Sequence, residues 1–181
     1  VVLATGVSPR DPRIPGEDHH TVLTYVDVLL HRKPVGRRVA IVGAGGIGFD
    51  VAEFLAHGEP GDGPELARWM REWGVADPGE VRGGVVEPRP EAAARQVFLL
   101  QRKATRLGAG LGKTTGWIHR TALQRRGVEM IGGVRYERID DAGLVIGLGE
   151  GHRTRRVLEV DHGVRCAGQE PLRVLEPPLR A

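Results

Sequence analysis

Gly43, Gly45 and Gly48 stand in the stretch VAIVGAGGIGFD with the spacing G-x-G-x-x-G, directly after an apolar run and at the start of a helical pattern. That context is what a dinucleotide-binding turn requires. Gly43 permits the tight turn, Gly45 lets backbone approach a pyrophosphate, and Gly48 lets helix and strand pack closely. The loop Gly43, Ala44, Gly45, Gly46, Ile47 and Gly48 would then present backbone N–H groups to the pyrophosphate at a helix N-terminus, where the helix dipole favours negative charge.

The choice of dinucleotide turns on the end of the second strand, where an acidic residue about twenty positions on binds the ribose 2′-hydroxyl of NAD or FAD. Here that strand is VFLLQ, and Arg102 and Lys103 follow it. Two cations suit a 2′-phosphate. They favour NADPH over NADH and argue against FAD on this motif, the alternative being two exposed basic residues at a strand end. Asp50 lies two residues beyond the last motif glycine. It either complements the helix N-terminus from the first turn or helps position the nicotinamide end of the cofactor. LGAGLGKTT resembles a phosphate loop, but with Gly112 and Lys113 in place the first glycine should be residue 107, which is Leu107. The nest of N–H groups then lacks its required shape. Gly108, Gly110 and Gly112 instead keep backbone close to a bound dinucleotide or let a loop move.

Other chemistries find little support. Cys166 is the only cysteine, which excludes an internal disulfide and a thiolate-held iron–sulfur cluster within this chain. The seven histidines form no metal-ligand spacing with carboxylates, and His19 and His20 read as loop residues. The net charge is +3, nearly all of it from arginine, and the Arg pairs are scattered without interleaved aromatics on which bases could stack. Nucleic acid is therefore not an expected partner. No run reaches about 18 apolar residues and no signal peptide is visible, so the expectation is a soluble, cytoplasmic protein without a membrane partner.

The elements that must position these residues are those of an α/β protein. Abundant Gly and Pro with few aromatics suit loop-rich α/β architecture, and 181 residues allow one core and part of another. Val1, Val2 and Leu3 form an apolar run of the kind buried in a parallel sheet. A Pro/Gly/Asp-rich connector follows, then TVLTYVDVLLHRK with helical spacing at Val22, Val26, Leu29 and Leu30. The motif helix carries Ile47, Val51, Phe54 and Leu55 on one face and ends near Gly58. Residues 57–95 delay the return to the sheet and form an insertion holding one short helix, PELARWMREWG, whose Trp69 and Trp73 suit core or interface packing. RQVFLLQRK is the next strand, TTGWIHRTALQRRG a helix and VEMIGG a strand. VRYERID, LVIGL and RVLEVD, parted by DDAG and GEGHR, form a three-stranded antiparallel meander. The fold class is thus α/β, a Rossmann-like parallel sheet with an antiparallel three-stranded meander.

VVLATGVSP at the start and VRCAGQEP near the end share a strand, a small residue, Gly, two residues and Pro. With VAIVGAGGIGFDVA, QVFLLQRK and GLGKTTGWIHR, these stretches span nearly the whole chain. They resemble the bacterial NADPH-dependent 2,4-dienoyl-CoA reductases, flavoproteins related to trimethylamine dehydrogenase and the old yellow enzymes. The resemblance implies the NAD(P)H domain of a flavoprotein with two dinucleotide-binding domains. Residues 1–16 would be the end of an FAD-domain strand and a connector, 17–165 the NADPH-binding domain, and 166–181 the return to the FAD domain. Ala4, Thr5, Gly6, Ala167 and Gly168 could touch FAD in a partial site. FMN and a 4Fe–4S cluster belong to the rest of the same polypeptide, which is the implied partner besides the nicotinamide dinucleotide. The implied activity, by the whole protein and not by this part alone, is dienoyl-CoA reduction in fatty-acid β-oxidation with electrons passed from NADPH through FAD. A related enoate reductase, an amine dehydrogenase and a non-catalytic dinucleotide-binding module are the alternatives. Gly163 and Arg165 depart from the apolar pattern that resemblance leads one to expect before Cys166.

Overall fold

A computed structural model of the chain describes residues 2–57 and 66–177. In chain order the strands and α-helices are β1 (Val7–Pro9), β2 (Val22–Thr24), α1 (Tyr25–Leu29), β3 (Arg38–Val42), α2 (Gly46–His57) and α3 (Leu66–Trp73). There follow β4 (Gln96–Leu100), α4 (Gly116–Arg125), β5 (Glu129–Ile131), β6 (Arg135–Asp140), β7 (Gly143–Leu148), β8 (Thr154–Leu158), β9 (His162–Arg165) and β10 (Gln169–Pro171). The main sheet is entirely parallel, in the order β2-β9-β3-β4-β5.

The apolar runs of β3 and β4 explain why they lie at its heart. Alternate side chains of a strand leave on opposite faces, so a continuous apolar strand needs cover on both. Val39, Ile41, Val97 and Leu99 pack on one face with Phe49, Val51, Ala52 and Leu55 of α2 and Leu123 of α4. Ala40, Val42, Phe98 and Leu100 pack on the other with Ile139, Leu144, Ile146 and Leu158 of the meander. The antiparallel meander β6-β7-β8 thus forms a third layer, as its alternation and turns imply.

Several expectations are corrected. Among the described residues the opening run joins no sheet, Val2 being 92% exposed and Leu3 also open; Val1 lies outside the described residues. The strand just after it, β1, pairs antiparallel with β10 in a separate two-stranded ribbon. The helix expected from Val22 begins at Tyr25, because Val22–Thr24 pairs with β9 and Thr24 serves as the N-cap of α1. Thr24 Oγ1 accepts from the Asp27 amide at 3.1 Å while Asp27 Oδ2 accepts from the Thr24 amide at 2.8 Å, a reciprocal capping box. The closing strand is real despite Gly163 and Arg165: Gly163 is buried beside Val22 and Ala40, and Arg165 at the strand end turns its guanidinium toward Asp11 (3.9 Å) and Glu17 (3.7 Å). The inserted helix buries none of its residues; Trp69 is 44% exposed, and Trp73 is half-buried beneath the Arg125 guanidinium at 5.4 Å. Gly58 and the first residues of the PELARWMREWG helix, Pro64 and Glu65, lie outside the described residues, as do the last four residues. Among the described residues no helix is long and apolar enough to cross a membrane.

The cap of α1 makes stability depend on acid. The Lys33 ammonium, 2.7 Å away, together with the Thr24 hydroxyl and amide, holds the Asp27 carboxyl well below the usual carboxylate range. A depressed folded pKa contributes stability that is full above the unfolded value near 4 and disappears as pH falls through the folded one. Asp27→Asn is expected to lose about 1 kcal/mol at pH 7 and to flatten the stability profile below about pH 4. Urea unfolding measured from pH 7 to pH 2 checks it, and parallel profiles for the two proteins would refute it.

Candidate functional site

At the carboxyl end of β3 the chain turns sharply through Gly43 (φ 112°) into α2. The four motif glycines divide by what a side chain would meet. A Cβ on Gly43 would stand 2.4 Å from the Cys166 carbonyl oxygen, and one on Gly48 only 1.9 Å from the Gly43 carbonyl oxygen. Those two serve the protein's own packing. A Cβ on Gly45 or Gly46 meets nothing within 4 Å, so no protein atom demands glycine there. Their bareness leaves the start of α2, where the first-turn amides have no intrahelical acceptors, open to a ligand.

Gly43, Ala44, Gly45, Gly46 and Ile47 line one wall of a cavity of about 470 Å³ at this end of the sheet. Arg102 and Lys103 line it from the end of β4, joined by Gln101 and Arg106, and Ala167 and Gly168 line it from the end of β9, on the other side of β3. The Gln101 side-chain amide donates to the carbonyls of Lys103 (2.9 Å) and Thr105 (2.5 Å), pinning the turn that carries the cations. Both Arg102 and Lys103 are exposed, and among the described residues neither makes an ion pair. Gly108 and Gly110 also border the cavity, whereas Gly112 and Lys113 do not. Gly108 (φ 70°) has room for no side chain, since a Cβ would press on the Phe49 ring at 2.8 Å, and Arg120 donates to its carbonyl at 3.1 Å. Lys113 sits on the surface before α4, as the faulty phosphate-loop spacing implies.

The remaining candidates are not brought together. Asp50 lies beyond the first turn of α2, exposed and outside the cavity, because α2 starts only at Gly46 and its fifth residue faces away. No acidic residue therefore stands in the first turn of α2. Ala4, Thr5 and Gly6 border a different hollow, of about 420 Å³, with Leu172 and Arg173. The β1–β10 ribbon, not a shared pocket, connects them to Ala167 and Gly168: Leu172 donates to the Gly6 carbonyl and Arg10 to that of Gly168, each at 3.0 Å.

Two cavity residues carry no sequence signal. Tyr136 reaches the site from β6, and burial raises its phenol well above the ordinary value against the opposing charge of Arg102. Cys166 follows β9, and burial pushes its thiol up to about 12, so at neutral pH it is a neutral packing group and no nucleophile. Folding also joins His19, His20 and Asp141, whose nitrogen and oxygen ligand atoms lie within 4.8 Å of one another at the surface. His19 bonds through Nδ1 to Thr21 Oγ1 (2.8 Å) and through Nε2 to Asp141 (3.1 Å), fastening the connector to the turn between β6 and β7.

The donor set fits a phosphorylated dinucleotide: bare backbone at a helix N-terminus for a pyrophosphate, and cations after the second strand for a ribose 2′-phosphate. Comparisons with known proteins agree. The chain is 26% identical over 168 residues to a metal reductase of Desulforamulus reducens, covering 93% of this chain and 24% of that one. It is 47% identical over 55 residues, 30% of this chain and 8% of the other, to a cinnamate reductase of Clostridium sporogenes. This chain therefore spans a quarter or less of the length of these curated relatives. The fold is shared with a solved 2-naphthoyl-CoA reductase at a TM-score of 0.67 and 18% identity, over 96% of this chain and 21% of that one. The family model for pyridine nucleotide-disulphide oxidoreductases matches residues 1–176, and the chain belongs to that family.

Proposed function

We propose that this chain is the NADPH-binding part of a larger flavin-dependent reductase acting on an unsaturated acyl-CoA, with 2,4-dienoyl-CoA as the substrate that the motif resemblance implies. The observation that carries the dinucleotide reading is that the unclashed glycines, Gly45 and Gly46, line one cavity together with Arg102 and Lys103. When bound, NADPH supplies a hydride for a flavin. The chain's own residues do the holding: the loop from Gly43 to Ile47 offers amides to the pyrophosphate, and Arg102 and Lys103 neutralise the 2′-phosphate. Ala167 and Gly168, on the side of the cavity away from the cations, border the nicotinamide half. Residues 17–165 form the dinucleotide-binding domain in this reading, and the β1–β10 ribbon leads to an FAD domain of the same polypeptide. FMN and a 4Fe–4S cluster would reside in the remainder, since the one thiol here is buried and protonated.

Affinity for NADPH is expected to exceed that for NADH by tenfold or more, and Arg102→Ala with Lys103→Ala to bring the two within about twofold. Fluorescence titration of both cofactors checks this, and equal affinities in the unaltered chain would sink it. Reduction of a free enoate instead of a thioester is the second reading, favoured by the 47% identity to the cinnamate reductase. Steady-state rates of the full-length enzyme on a dienoyl-CoA and on cinnamate separate the two.

A further inference from the structure

Beside the dinucleotide cavity lies a smaller hollow of about 340 Å³, which shares Arg102 and Tyr136 with it. Arg13 from the connector and Arg135 and His152 from the meander complete its charged and polar wall, and no carboxylate lines it. Among the described residues the arginines at the other strand positions of the meander are paired, Arg138 with Asp140, Arg155 with Glu137 and Arg156 with Glu129, whereas Arg153, in the exposed turn before β8, is not. Arg13, Arg102 and Arg135 make no ion pair among the described residues. Arg13 is drawn to Asp11, which does not line the hollow, and the guanidiniums that do line it repel each other unless an anion joins them.

Two independent features point the same way. His152 Nδ1 is buried without a hydrogen-bond partner, and the Tyr136 hydroxyl, beside the Gly43 backbone, makes no full hydrogen bond; a buried polar atom left so is costly until a ligand supplies one. The backbone is strained here as well. Among the described residues only Arg13 (φ 54°), Arg32 (φ 51°) and His152 (φ 54°) adopt positive φ without being glycine, and two of the three belong to this hollow. A β-bulge between Tyr136 and Arg138 bends β6 at the same place, and the extra residue, Glu137, is held by Arg155 at 2.9 Å.

We infer that this hollow receives the 2′-phosphate of the bound dinucleotide, with Arg135 and Arg13 as specificity residues beside Arg102, which lines both spaces; Lys103 lines only the larger cavity and contributes its charge from there. The inference rests on the dinucleotide reading above and deepens it. A phosphate monoester dianion accepts from several guanidinium N–H groups at once and takes a further bond from the Tyr136 hydroxyl. NADH, without that phosphate, leaves the same groups unmatched. A phosphate carried by a separate molecule has the same chemistry, so the test must distinguish the two sources.

Isothermal titration of the 181-residue chain with 2′,5′-ADP, 5′-ADP and inorganic phosphate does so. The unaltered chain is expected to bind 2′,5′-ADP at least about tenfold more tightly than 5′-ADP. Arg135→Ala should remove most of that margin while leaving 5′-ADP affinity unchanged, which also reports that the variant is folded; Arg13→Ala should act in the same direction. An undiminished margin in both variants overturns the inference. If the margin then vanishes in Arg102→Ala with Lys103→Ala, the NADPH reading stands without this hollow. Inorganic phosphate binding that Arg135→Ala abolishes, with the margin intact, also overturns it by assigning the hollow to another molecule's phosphate.

Discussion

Gly45→Val is expected to lower NADPH affinity by about a hundredfold or more while leaving the melting temperature unchanged, and Gly48→Ala is expected to do the reverse. The two glycines are three residues apart in one motif, yet their surroundings differ completely. A side chain at Gly45 meets no protein atom within 4 Å and projects into the space that the cavity offers a pyrophosphate. Backbone amides bind phosphate only at contact distance, so an isopropyl group there removes several charge-assisted hydrogen bonds together. At Gly48 even a methyl group would lie 1.9 Å from the Gly43 carbonyl oxygen, a backbone atom that moves only if α2 separates from β3. That separation would loosen Phe49, Val51 and Leu55 from the core, at a cost of about 3 kcal/mol. Paired cofactor titrations and thermal melts of the two variants check both halves. Undiminished NADPH binding by Gly45→Val would show that the pyrophosphate lies elsewhere.

Features governed by local chemistry were legible in the sequence. The runs RVAIV and QVFLL announce strands buried on both faces, and DDAG between alternating segments announces the hairpin of the meander. The glycine loop and the cations after β4 were equally visible, because a dinucleotide site concentrates those requirements in two short segments. The features that the sequence hides depend on partners distant in the chain. The pairing of β1 with β10 joins opposite ends of the chain, and no local pattern announces that partner. Gly163 and Arg165 look like interruptions until β9 is placed between β2 and β3. Tyr136 joins the cavity only because the meander packs beneath β3 and β4, a contact that no periodicity encodes. The start of α1 is a different case. Thr24 and Asp27 spell a capping arrangement locally, and the apolar spacing that begins at Val22 obscures it.

The same distance between sequence and contact governs the largest stability effect expected, that of Glu72→Ala. Arg126, just after α4, is the one buried charged residue among those described, its side chain only 2% exposed. Its guanidinium Nη2 donates to Glu72 Oε1 at 2.5 Å, and Glu72 lies on α3 of the insertion. Since α3 buries no residue of its own, the ion pair and the stacking of Arg125 on Trp73 are what dock it against α4. Removing one partner of a buried pair strands the other charge, which costs about 3 kcal/mol or more, well beyond the worth of an exposed pair. Arg126 Nε is already without a hydrogen-bond partner, and Glu72 also lies 3.9 Å from His57 Nε2, so its removal takes an acceptor from α2 as well. Glu72→Gln keeps an acceptor and should lose less, and Glu72→Leu combined with Arg126→Met should recover much of the loss by removing both charges. Urea unfolding of the three variants measures these differences. A loss under about 0.5 kcal/mol in Glu72→Ala would mean that Arg126 escapes to water when unpaired and that the insertion is anchored by other contacts.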